Sequence, residues 1–389
     1  MILGAAASLS AATVQNEFAD AARDLDNTIA EKYAYLDKLP GEKLPESDDL
    51  RREREAVHDD RSLLAYAEKR IASLADHHAI TGSSFRDSWA VVPTYTDIWI
   101  VQHGDQFVID AVRQQSPADE AGLGIGDMIV AIDGLQIDRA VLDFWQELGL
   151  PVTPARAQYA ARVLVAGRRD RSRRMTVRGS AGTTREVVLT SMYDVEPPPR
   201  PPLRLCNVDG YSVVRFNNSL GESATIEAFD EAMRSIPDSV DLILDLRDTP
   251  SGGNTTVARG IMGWFVSAPR GYQIHNRPAE ERVTGIPRQW VEQVLPRANG
   301  YRSRLPTILV GRWTGSMGEG IAIGFDALGA EVYGSMMAGL NGSVEDLRVG
   351  NTDLFVKLPT ERLLTVAGLP REEFAPLQPP NQGPILGSC

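Results

Sequence analysis

The sequence predicts an α+β protein of several domains, with helices first, then a domain of short strands, then a core of alternating strands and helices. Three observations carry this prediction. The chain of 389 residues is longer than one small hydrophobic core organises. Its apolar spacing changes from a helical repeat to short strand-like runs. Prolines crowd residues 196–202 and mark a linker before the core.

Composition excludes several classes of protein. Apolar residues make up 43% and charged residues 24% of the chain, as in a globular protein rather than a disordered one. The net charge of -12 argues against a nucleic-acid binder. Cys206 and Cys389 are too few for a cysteine-rich zinc site; they either pair in an oxidising compartment or remain thiols. We expect no cofactor and no metal.

The chain has few lysines and histidines that could act as a catalytic base. Lysine occurs only at positions 32, 38, 43, 69 and 357, so nearly all of the 40 basic residues are arginine. Histidine occurs only at positions 58, 77, 78, 103 and 275. A catalytic base of either type must come from these positions.

Residues 1–16 are apolar and rich in small side chains, like the apolar part and cleavage end of a secretory signal, although no positively charged start precedes them. We assign them to a signal remnant or a disordered terminus. Export to the periplasm or the extracellular space is the preferred expectation, with the cytoplasm as the alternative. No later stretch reaches the roughly 20 apolar residues of a membrane span, so we expect no integral membrane segment in the mature chain.

An N-terminal helical segment is predicted over residues 17–94. Apolar residues at three- and four-residue spacing indicate a helix over residues 17–40. Residues 41–60 are highly charged and are expected to be solvated. A second helix carries Leu74 on its apolar face, and His78, four residues later, continues that face at or just past the helix end.

The rest of the chain divides into three parts. Residues 95–192 contain short strands separated by turn sequences. The proline-rich linker spans residues 193–202. Residues 203–389 alternate between strand and helix, which predicts a sheet covered by helices.

The stretch that begins at Phe107 resembles the core of a PDZ domain. It reads Phe-Val-Ile-Asp-Ala-Val-Arg-Gln-Gln-Ser-Pro-Ala-Asp-Glu-Ala-Gly-Leu-Gly-Ile-Gly-Asp-Met-Ile-Val-Ala-Ile-Asp-Gly. The resemblance implies capture of an extended chain end as an added strand, with a backbone nest for its carboxylate. The usual Gly-Leu-Gly-Phe-like loop is missing upstream, where the sequence reads His103-Gly-Asp-Gln. A packing module that gates another part of the chain therefore stays as the alternative.

Ser316 lies between a predicted strand and a predicted helix, in Thr314-Gly-Ser-Met-Gly-Glu. Its hydroxyl would lie at the positive end of the helix dipole, where the backbone N–H of Met317 is free to donate to an oxyanion. The segment differs from the Gly-x-Ser-x-Gly elbow because Thr314 replaces the first glycine. Taken alone, a serine before a helix is more often an N-cap.

A second motif changes that interpretation. Asp245-Leu-Arg-Asp-Thr-Pro-Ser-Gly-Gly-Asn resembles the Asp-Leu-Arg-x-Asn-x-Gly-Gly signature of the tail-specific (C-terminal processing) and tricorn-like serine peptidases. A phosphate loop is the rival interpretation, but no lysine follows the glycines. The order of segments also matches this family, and the resemblance implies N-terminal helices, a PDZ-like β domain and a crotonase-like (ββα) catalytic core. It further implies that Gly252 or Gly253 supplies the second oxyanion donor.

The family has two branches, which differ in the base. One uses a Ser–Lys dyad, with the lysine in a Thr-x-Gly-Lys-Gly segment. The corresponding stretch here reads Met337-Ala-Gly-Leu-Asn-Gly, and the only lysine after Ser316 is Lys357, in an alternating strand. The other branch, which is tricorn-like, uses Ser, His and Glu, and this chain resembles that branch.

Leu74-Ala-Asp-His-His-Ala is similar to the histidine motif of the tricorn-like branch, which implies His78 as general base and His77 at an auxiliary position. The chemistry needs a neutral imidazole within hydrogen-bond reach of the serine. Taken alone, a histidine on an apolar helix face is more often a core residue. His77 itself and His275 stay as alternative bases.

The orienting acid is implied by the segment Arg371-Glu-Glu-Phe-Ala-Pro-Leu-Gln-Pro-Pro. The best alignment with the family gives this role to Glu373, with Pro379 as the proline that follows the acid. A register slip would give it to Glu372, and an exposed carboxylate pair is the bland alternative.

The resemblance implies a serine endopeptidase that cleaves extended or unfolded polypeptides, near C-termini in one version, through an acyl-enzyme at Ser316. Its expected partners are polypeptide substrates and not nucleic acid, and the oligomeric state is left open. The alternative is a catalytically impaired crotonase-like/PDZ module that binds hydrophobic ligands or polypeptide chain ends.

Overall fold

The computed structural model describes residues 3–195, 200–208, 210–298 and 300–378, with side chains from residue 17 onward. The chain forms two compact units. The first unit contains Met1–Glu196 and Val344–Thr360, and the second contains Pro197–Ser343 and Glu361–Cys389. The division near residue 196 falls within the predicted linker, of which residues 196–199 lie outside the described part. The return of the chain to the first unit at residue 344 was not expected from the sequence.

Three helices open the first unit: α1 (Leu3–Lys32), α2 (Asp48–Glu55) and α3 (Asp60–Ala72). The apolar face predicted for the first helix is confirmed, since Leu25 and Ile29 are fully buried. Its bounds were wrong. The helix already includes residues 3–16, assigned above to a signal remnant or disordered terminus, and it ends early because the Ala34 N–H donates to Pro359 O at 2.9 Å.

The charged stretch over residues 41–60 is mostly exposed, as expected, but it contains helix α2, which was not predicted. Ser47 caps it, because its Oγ accepts a hydrogen bond from the N–H of Leu50 at 3.0 Å. Leu50 is buried, so the helix has an apolar anchor despite its charges. Arg70 of α3 is fully buried and is neutralised by Asp26, whose Oδ1 lies 2.7 Å from its Nε.

The rest of the first unit is a small β domain. After the short strand β1 (Ile80–Thr81), which lies outside this domain, its strands are β2 (Ile98–His103), β3 (Gln106–Val112), β4 (Met128–Ile132), β5 (Leu135–Gln136), β6 (Arg173–Arg178) and β7 (Thr184–Leu189). Strands β2, β3, β4, β6 and β7 form an antiparallel sheet in that order, and β5 pairs with β4. The strands predicted within residues 95–192 are all present.

Helices α4 (Pro117–Glu120), α5 (Ile137–Gln146) and α6 (Pro154–Ala166) accompany this sheet and were not predicted. Helix α6 lies along the outer edge of β2. The Gln158 side-chain carbonyl accepts a hydrogen bond from the Gln102 N–H at 2.9 Å, and its amide donates to Ile100 O at 2.9 Å. Arg162 Nε donates to the same oxygen at 3.3 Å. Side chains of α6 thus occupy backbone groups of β2 that a further strand would use.

The second unit alternates strands and helices. Its elements are β8 (Leu203–Val208), β9 (Tyr211–Phe216), α7 (Ala224–Ser235), β10 (Asp241–Asp245), α8 (Thr255–Met262), β11 (Arg270–Asn276), α9 (Pro278–Thr284), β12 (Gln289–Val294), β13 (Thr307–Val310), α10 (Met317–Leu328) and β14 (Val332–Gly334). Five of the strands form a sheet in the order β14-β13-β10-β9-β8, which is parallel except for β8. Side chains of this sheet and of α7, α8 and α10 share one apolar core.

The parallel sheet decides where the functional loops lie. Strands β10 and β13 are neighbours, with Asp245 paired to Leu309. Because parallel strands end at the same edge of a sheet, the segments that follow β10 and β13 are brought together there. These segments are the glycine loop over residues 246–254 and the serine segment over residues 311–316.

Two last strands follow α10: β15 (Ser343–Arg348) and β16 (Phe355–Leu364). Within the first unit, Lys357 of β16 pairs antiparallel with Ile80 of β1. Within the second unit, Leu364 of β16 pairs with Ile274 of β11, which also pairs with β12. No helix among the described residues is long and apolar enough to cross a bilayer.

Candidate active site

Ser316 immediately precedes α10 and has φ 51° and ψ -110°. A positive φ is rare for a residue with a side chain. It strains the backbone, and residues strained in this way cluster at functional sites. A serine on a sharp turn between a strand and a helix is the arrangement of a nucleophile elbow. The local geometry therefore exceeds what an ordinary helix cap requires.

The glycine loop passes so close to the elbow that two positions exclude any side chain. A Cβ on Gly252 would overlap the Cβ of Ser316 and would lie 3.0 Å from the nitrogen of Met317. A Cβ on Gly318 would lie 2.5 Å from Oγ1 of Thr249. The glycines at 252 and 318 are thus required by close approach of the two segments.

Thr314, which stands where an elbow usually has glycine, has a structural role of its own. Its side chain is fully buried, and its hydroxyl donates to Leu246 O at 2.9 Å and accepts from the Gly311 N–H at 3.0 Å. The Thr249 N–H in turn donates to Trp313 O at 2.9 Å. These bonds join the turn before Ser316 to the end of β10.

Within the Asp-Leu-Arg part of the motif, Asp245 and Arg247 form an ion pair with each other, which is called the clamp below. The Asp245 carboxylate is fully buried and accepts from Arg247 Nε and Nη2, both at 2.8 Å, and from the Arg247 backbone N–H at 3.0 Å. A bidentate ion pair of this kind fixes the direction of the chain. The clamp therefore sets where the glycine loop leaves β10.

The oxyanion donors predicted from the sequence differ in availability. The Gly252 N–H already donates to Thr249 O at 3.2 Å. Within the described part of the chain, the N–H groups of Gly253 and Met317 have no hydrogen-bond acceptor. Gly253 and Met317 are therefore the better supported pair.

The structure adds Glu319, which sequence reasoning missed. Its side chain is fully buried, and Oε2 accepts from the Ser316 N–H at 2.8 Å while Oε1 accepts from the Gly339 N–H at 2.8 Å. Burial raises the pKa of Glu319 to about 7, against the opposing influence of Arg371. A glutamate three residues after a serine at a helix start is capping-box spacing, and this signal was available in the sequence.

His78 belongs to the first unit and lies in a turn between α3 and β1, where it is half-buried. The expectation that it continues a helical face was wrong, because α3 already ends at Ala72. The His78 backbone N–H donates to Asp76 Oδ1 at 2.9 Å. Asp76 Oδ2 accepts from the Tyr33 hydroxyl at 2.7 Å, so the turn is anchored to the segment after α1.

His77, in the same turn, is less suited to proton transfer. Its ring stacks on Tyr159 with centroids 4.5 Å apart. Burial lowers its pKa well below the usual range, and the charge of Arg162 acts in the same direction. Its Nε2 is buried with no hydrogen-bond partner among the residues described. His77 is therefore neutral and packed into the unit.

His275, the other alternative base, has both ring nitrogens within hydrogen-bond distance of carboxylates. Its Nδ1 lies 2.8 Å from Glu361 Oε2 and its Nε2 lies 3.0 Å from Glu292 Oε2. Burial alone would lower its pKa, but the hydrogen bonds to Glu292 and Glu361 raise it to about 9. A cation with both ring nitrogens engaged cannot accept a proton from a serine, so this alternative is not supported.

The two candidate acids lie in a short 3-10 turn, Arg371–Glu373. Glu373 is exposed, whereas Glu372 is half-buried and its Oε2 is sealed from solvent. Pro379, assigned to follow the acid, lies outside the described residues. Burial therefore favours Glu372, the alternative register.

The second unit thus brings together Ser316, Met317, Gly252 and Gly253, while His77 and His78 are placed in the first unit. The pairing of Cys206 with Cys389 involves a residue outside the described part of the chain. Lys357 donates to Asp346 at 2.7 Å within the first unit.

Comparison with known proteins shows which solved structures this architecture is similar to. Residues 108–144 match the family model of the PDZ domain. The solved structure of a photosystem II D1 C-terminal processing protease is similar over 92% of both chains, with a TM-score of 0.56 at 16% sequence identity. The chain has the fold of a C-terminal processing protease. The resemblance of its motifs to that family, with a PDZ domain, is thereby confirmed at the level of the fold.

A second solved structure supports the same fold. Mature CPAF, complexed with lactacystin, matches with a TM-score of 0.56 at 14% identity, over 92% of this chain and 93% of that chain. No curated protein sequence matches. The fold of C-terminal processing proteases therefore rests on structural similarity and on the PDZ match.

Proposed function

We propose that this chain is a serine endopeptidase that cleaves extended or unfolded polypeptides and forms an acyl-enzyme at Ser316. The observation that carries the proposal is the strained backbone of Ser316 at the start of α10, packed against Gly252. The N–H groups of Gly253 and Met317, which have no acceptor among the described residues, support an oxyanion hole beside it. In this proposal the second unit is the crotonase-like catalytic core.

The proposed reaction follows acyl transfer. His78 accepts the Ser316 hydroxyl proton as Oγ attacks the scissile carbonyl carbon. The carbonyl oxygen becomes an oxyanion and accepts from Gly253 and Met317. The C–N bond then breaks, and the amine departs with the proton from His78. Water, activated by the same imidazole, releases the acyl group and restores Ser316.

The proposed orienting acid is Glu372, with Glu373 as the alternative. Such an acid holds the imidazole in one tautomer and stabilises the imidazolium. Its carboxylate needs an environment that excludes water, and the sealed Oε2 of Glu372 supports that choice. His77 keeps an auxiliary place, as a neutral packing neighbour of the base.

The proposed substrate class is supported by the PDZ match and by the fold. PDZ domains capture extended chains at a sheet edge, and cleavage near C-termini is part of the proposal, but at the β2 edge of this chain α6 already engages the Gln102 N–H and Ile100 O. Polypeptides, and not nucleic acids, are the proposed partners of an acidic chain of net charge -12. Export to the periplasm or extracellular space remains part of the proposal.

Labelling with a fluorophosphonate probe tests the function. Wild type should be labelled and should digest denatured casein, and Ser316→Ala should lose both activities. Ser239→Ala, which removes an exposed hydroxyl before β10 and therefore at the opposite edge of the sheet, is the matched control and should behave as wild type. Labelling that survives Ser316→Ala would contradict the proposal. Absence of both labelling and casein digestion in wild type would support the alternative of a non-cleaving binding module.

A further inference from the structure

Two oppositely charged side chains are buried behind the serine elbow. Glu319 is 0% exposed and Arg371 is 1% exposed, and Arg371 Nη2 lies 3.8 Å from Glu319 Oε2. Both belong to the second unit. Charged residues are almost never fully buried unless they are paired, and removing one partner leaves an uncompensated charge. We therefore expect this buried pair to have a specific structural role next to Ser316.

Glu319 connects two separate backbone segments. One carboxylate oxygen accepts from the Ser316 N–H at 2.8 Å, and the other accepts from the Gly339 N–H at 2.8 Å. The Leu340 N–H lies 3.3 Å from both oxygens. The carboxylate thus holds the elbow and the loop over residues 339–342 at a fixed spacing.

Arg371 holds the same loop from the other side. Its Nη2 donates to Leu340 O at 3.0 Å and to Gly342 O at 2.7 Å. Leu340 is therefore fixed through its N–H by Glu319 and through its carbonyl by Arg371. The next residue after Arg371 is Glu372, the proposed orienting acid. A continuous path of short contacts runs from the nucleophile to the acid segment.

We propose that Glu319 and Arg371 are a positioning pair that sets the backbone of Ser316 and the segment of Glu372 relative to each other. Neither residue touches the substrate or the reacting atoms. The proposal rests on the proposed function for its catalytic consequence, but the holding of the elbow is a separate physical claim. The loop over residues 339–342 contributes backbone groups to both members of the pair.

An amide cannot replace this carboxylate. Both Glu319 oxygens face N–H donors, and a glutamine offers one acceptor oxygen and one donor NH₂. In Glu319→Gln either the Ser316 N–H or the Gly339 N–H would face another donor. One of the two segments would therefore lose its hydrogen bond while side-chain volume stays the same.

The first test measures directly how strongly Glu319 protects the backbone N–H groups that it binds. Amide hydrogen exchange across residues 311–320 and 337–342 is compared between wild type and Glu319→Gln under conditions where both are folded. Exchange at Ser316, Gly339 or Leu340 should rise by tenfold or more. Asp230→Asn is the matched control, since Asp230 is a buried carboxylate of the same unit that accepts from Trp264 and Arg297. Unchanged exchange in Glu319→Gln would overturn the proposal.

The second test measures the consequence. Fluorophosphonate labelling should slow on the order of tenfold to a hundredfold in Glu319→Gln, because small misplacements of a nucleophile have effects of this size. For casein-derived peptides, kcat should fall and KM should stay. An equal loss in Asp230→Asn would mean general destabilisation and would overturn the positioning role. Should Glu319→Gln not fold, Arg371→Lys, which keeps the charge and shortens the reach, is put through both measurements with the same criteria.

The exchange and labelling experiments test the positioning pair and the proposed function separately. A wild type that is not labelled contradicts the proposed function, and the exchange experiment still decides whether the pair holds the elbow. A labelled wild type with normal exchange and labelling in Glu319→Gln contradicts the positioning pair alone.

Discussion

Gly252 lies against Ser316 with no room for a side chain, and this contact has a measurable consequence. Gly252→Ala would place a methyl group on the Cβ of Ser316 and would also force alanine to φ 66°. We expect fluorophosphonate labelling to fall a hundredfold or more, because the elbow must move. Stability should fall by about 1 to 3 kcal/mol, the range for a strained backbone residue.

Gly285→Ala is the control for this experiment. Gly285 has φ 70°, but a Cβ there meets no atom within 4 Å. The control carries the same backbone strain without the clash, so it should lose stability and keep its labelling. Equal losses of labelling in both variants would show that strain alone, and not contact with Ser316, explains the effect.

At the same scale, the sequence revealed part of the site. Ser316 and the glycine pair stand out because their motif is local, and neighbouring parallel strands bring such motifs together. Glu319 was missed because a buried carboxylate that binds backbone N–H groups depends on the distant loop at Gly339. The protonated state of His275 was equally invisible, since it depends on Glu361, 86 positions away.

Among the secondary-structure elements, strands β8, β11, β12 and β14 of the second unit were not predicted one by one. The apolar runs at residues 241–246 and 307–310 do predict strands, and they form β10 and β13. Such buried strands show as continuous apolar runs. Helices α5 and α6 were not predicted, although Ala157, Ala160, Ala161 and Leu164 of α6 have the three- and four-residue spacing of a buried helix face. Helix α2 was not predicted because its apolar face is reduced to the single buried residue Leu50.

Helix α6 and strand β2 lead to a prediction about the PDZ edge. In Gln158→Ala the Gln102 N–H loses its acceptor, so its amide exchange should quicken roughly fivefold, for a hydrogen bond worth about 1 kcal/mol. Gln146→Ala, at an exposed position of α5, should leave this exchange unchanged. Protection of Gln102 that persists in Gln158→Ala would mean that α6 closes the edge by other contacts.

For the whole molecule, a mixed α+β chain with a PDZ domain followed from the sequence, whereas the composition of the two units did not. The proline run lies at the division near residue 196, but the change from helical to strand-like periodicity near residue 95 lies inside the first unit. The return of residues 344–360 to the first unit depends on pairing between β1 and β16, which are far apart in sequence. Single-sequence patterns carry little information on such long-range pairing.

The stability of the whole protein should depend on alkaline pH through His275. Its pKa is about 9 in the folded state, above the usual 6.5, so its stabilising contribution is complete below pH 6.5 and is lost as pH rises through 9. The shift corresponds to on the order of 3 kcal/mol. The pKa of Glu292 is lowered to about 2, despite its burial, by hydrogen bonds from His275 and its neighbours. The contribution of Glu292 to stability is therefore lost only as the pH falls toward 2, and it does not add to the alkaline dependence.

Urea unfolding at pH 6 and pH 9.5 measures this dependence. His275→Gln cannot be protonated, so the difference in the free energy of unfolding between the two pH values should shrink by about 3 kcal/mol. His58→Gln, at an exposed histidine, should keep the wild-type difference. A His275→Gln variant with the full wild-type difference would contradict the assignment of this pH dependence to His275.

The path of the chain through the two units restricts how such a protein can be divided or recombined. The first unit needs Val356 and Leu358, which are fully buried in the core of its N-terminal helices but are encoded after the whole of α10. A gene fragment that stops at the proline linker would omit these side chains and the strand partner of β1. A chimaera with a single junction at the linker would therefore keep neither unit intact. Exchange of a whole unit would need two further junctions, one on each side of residues 344–360.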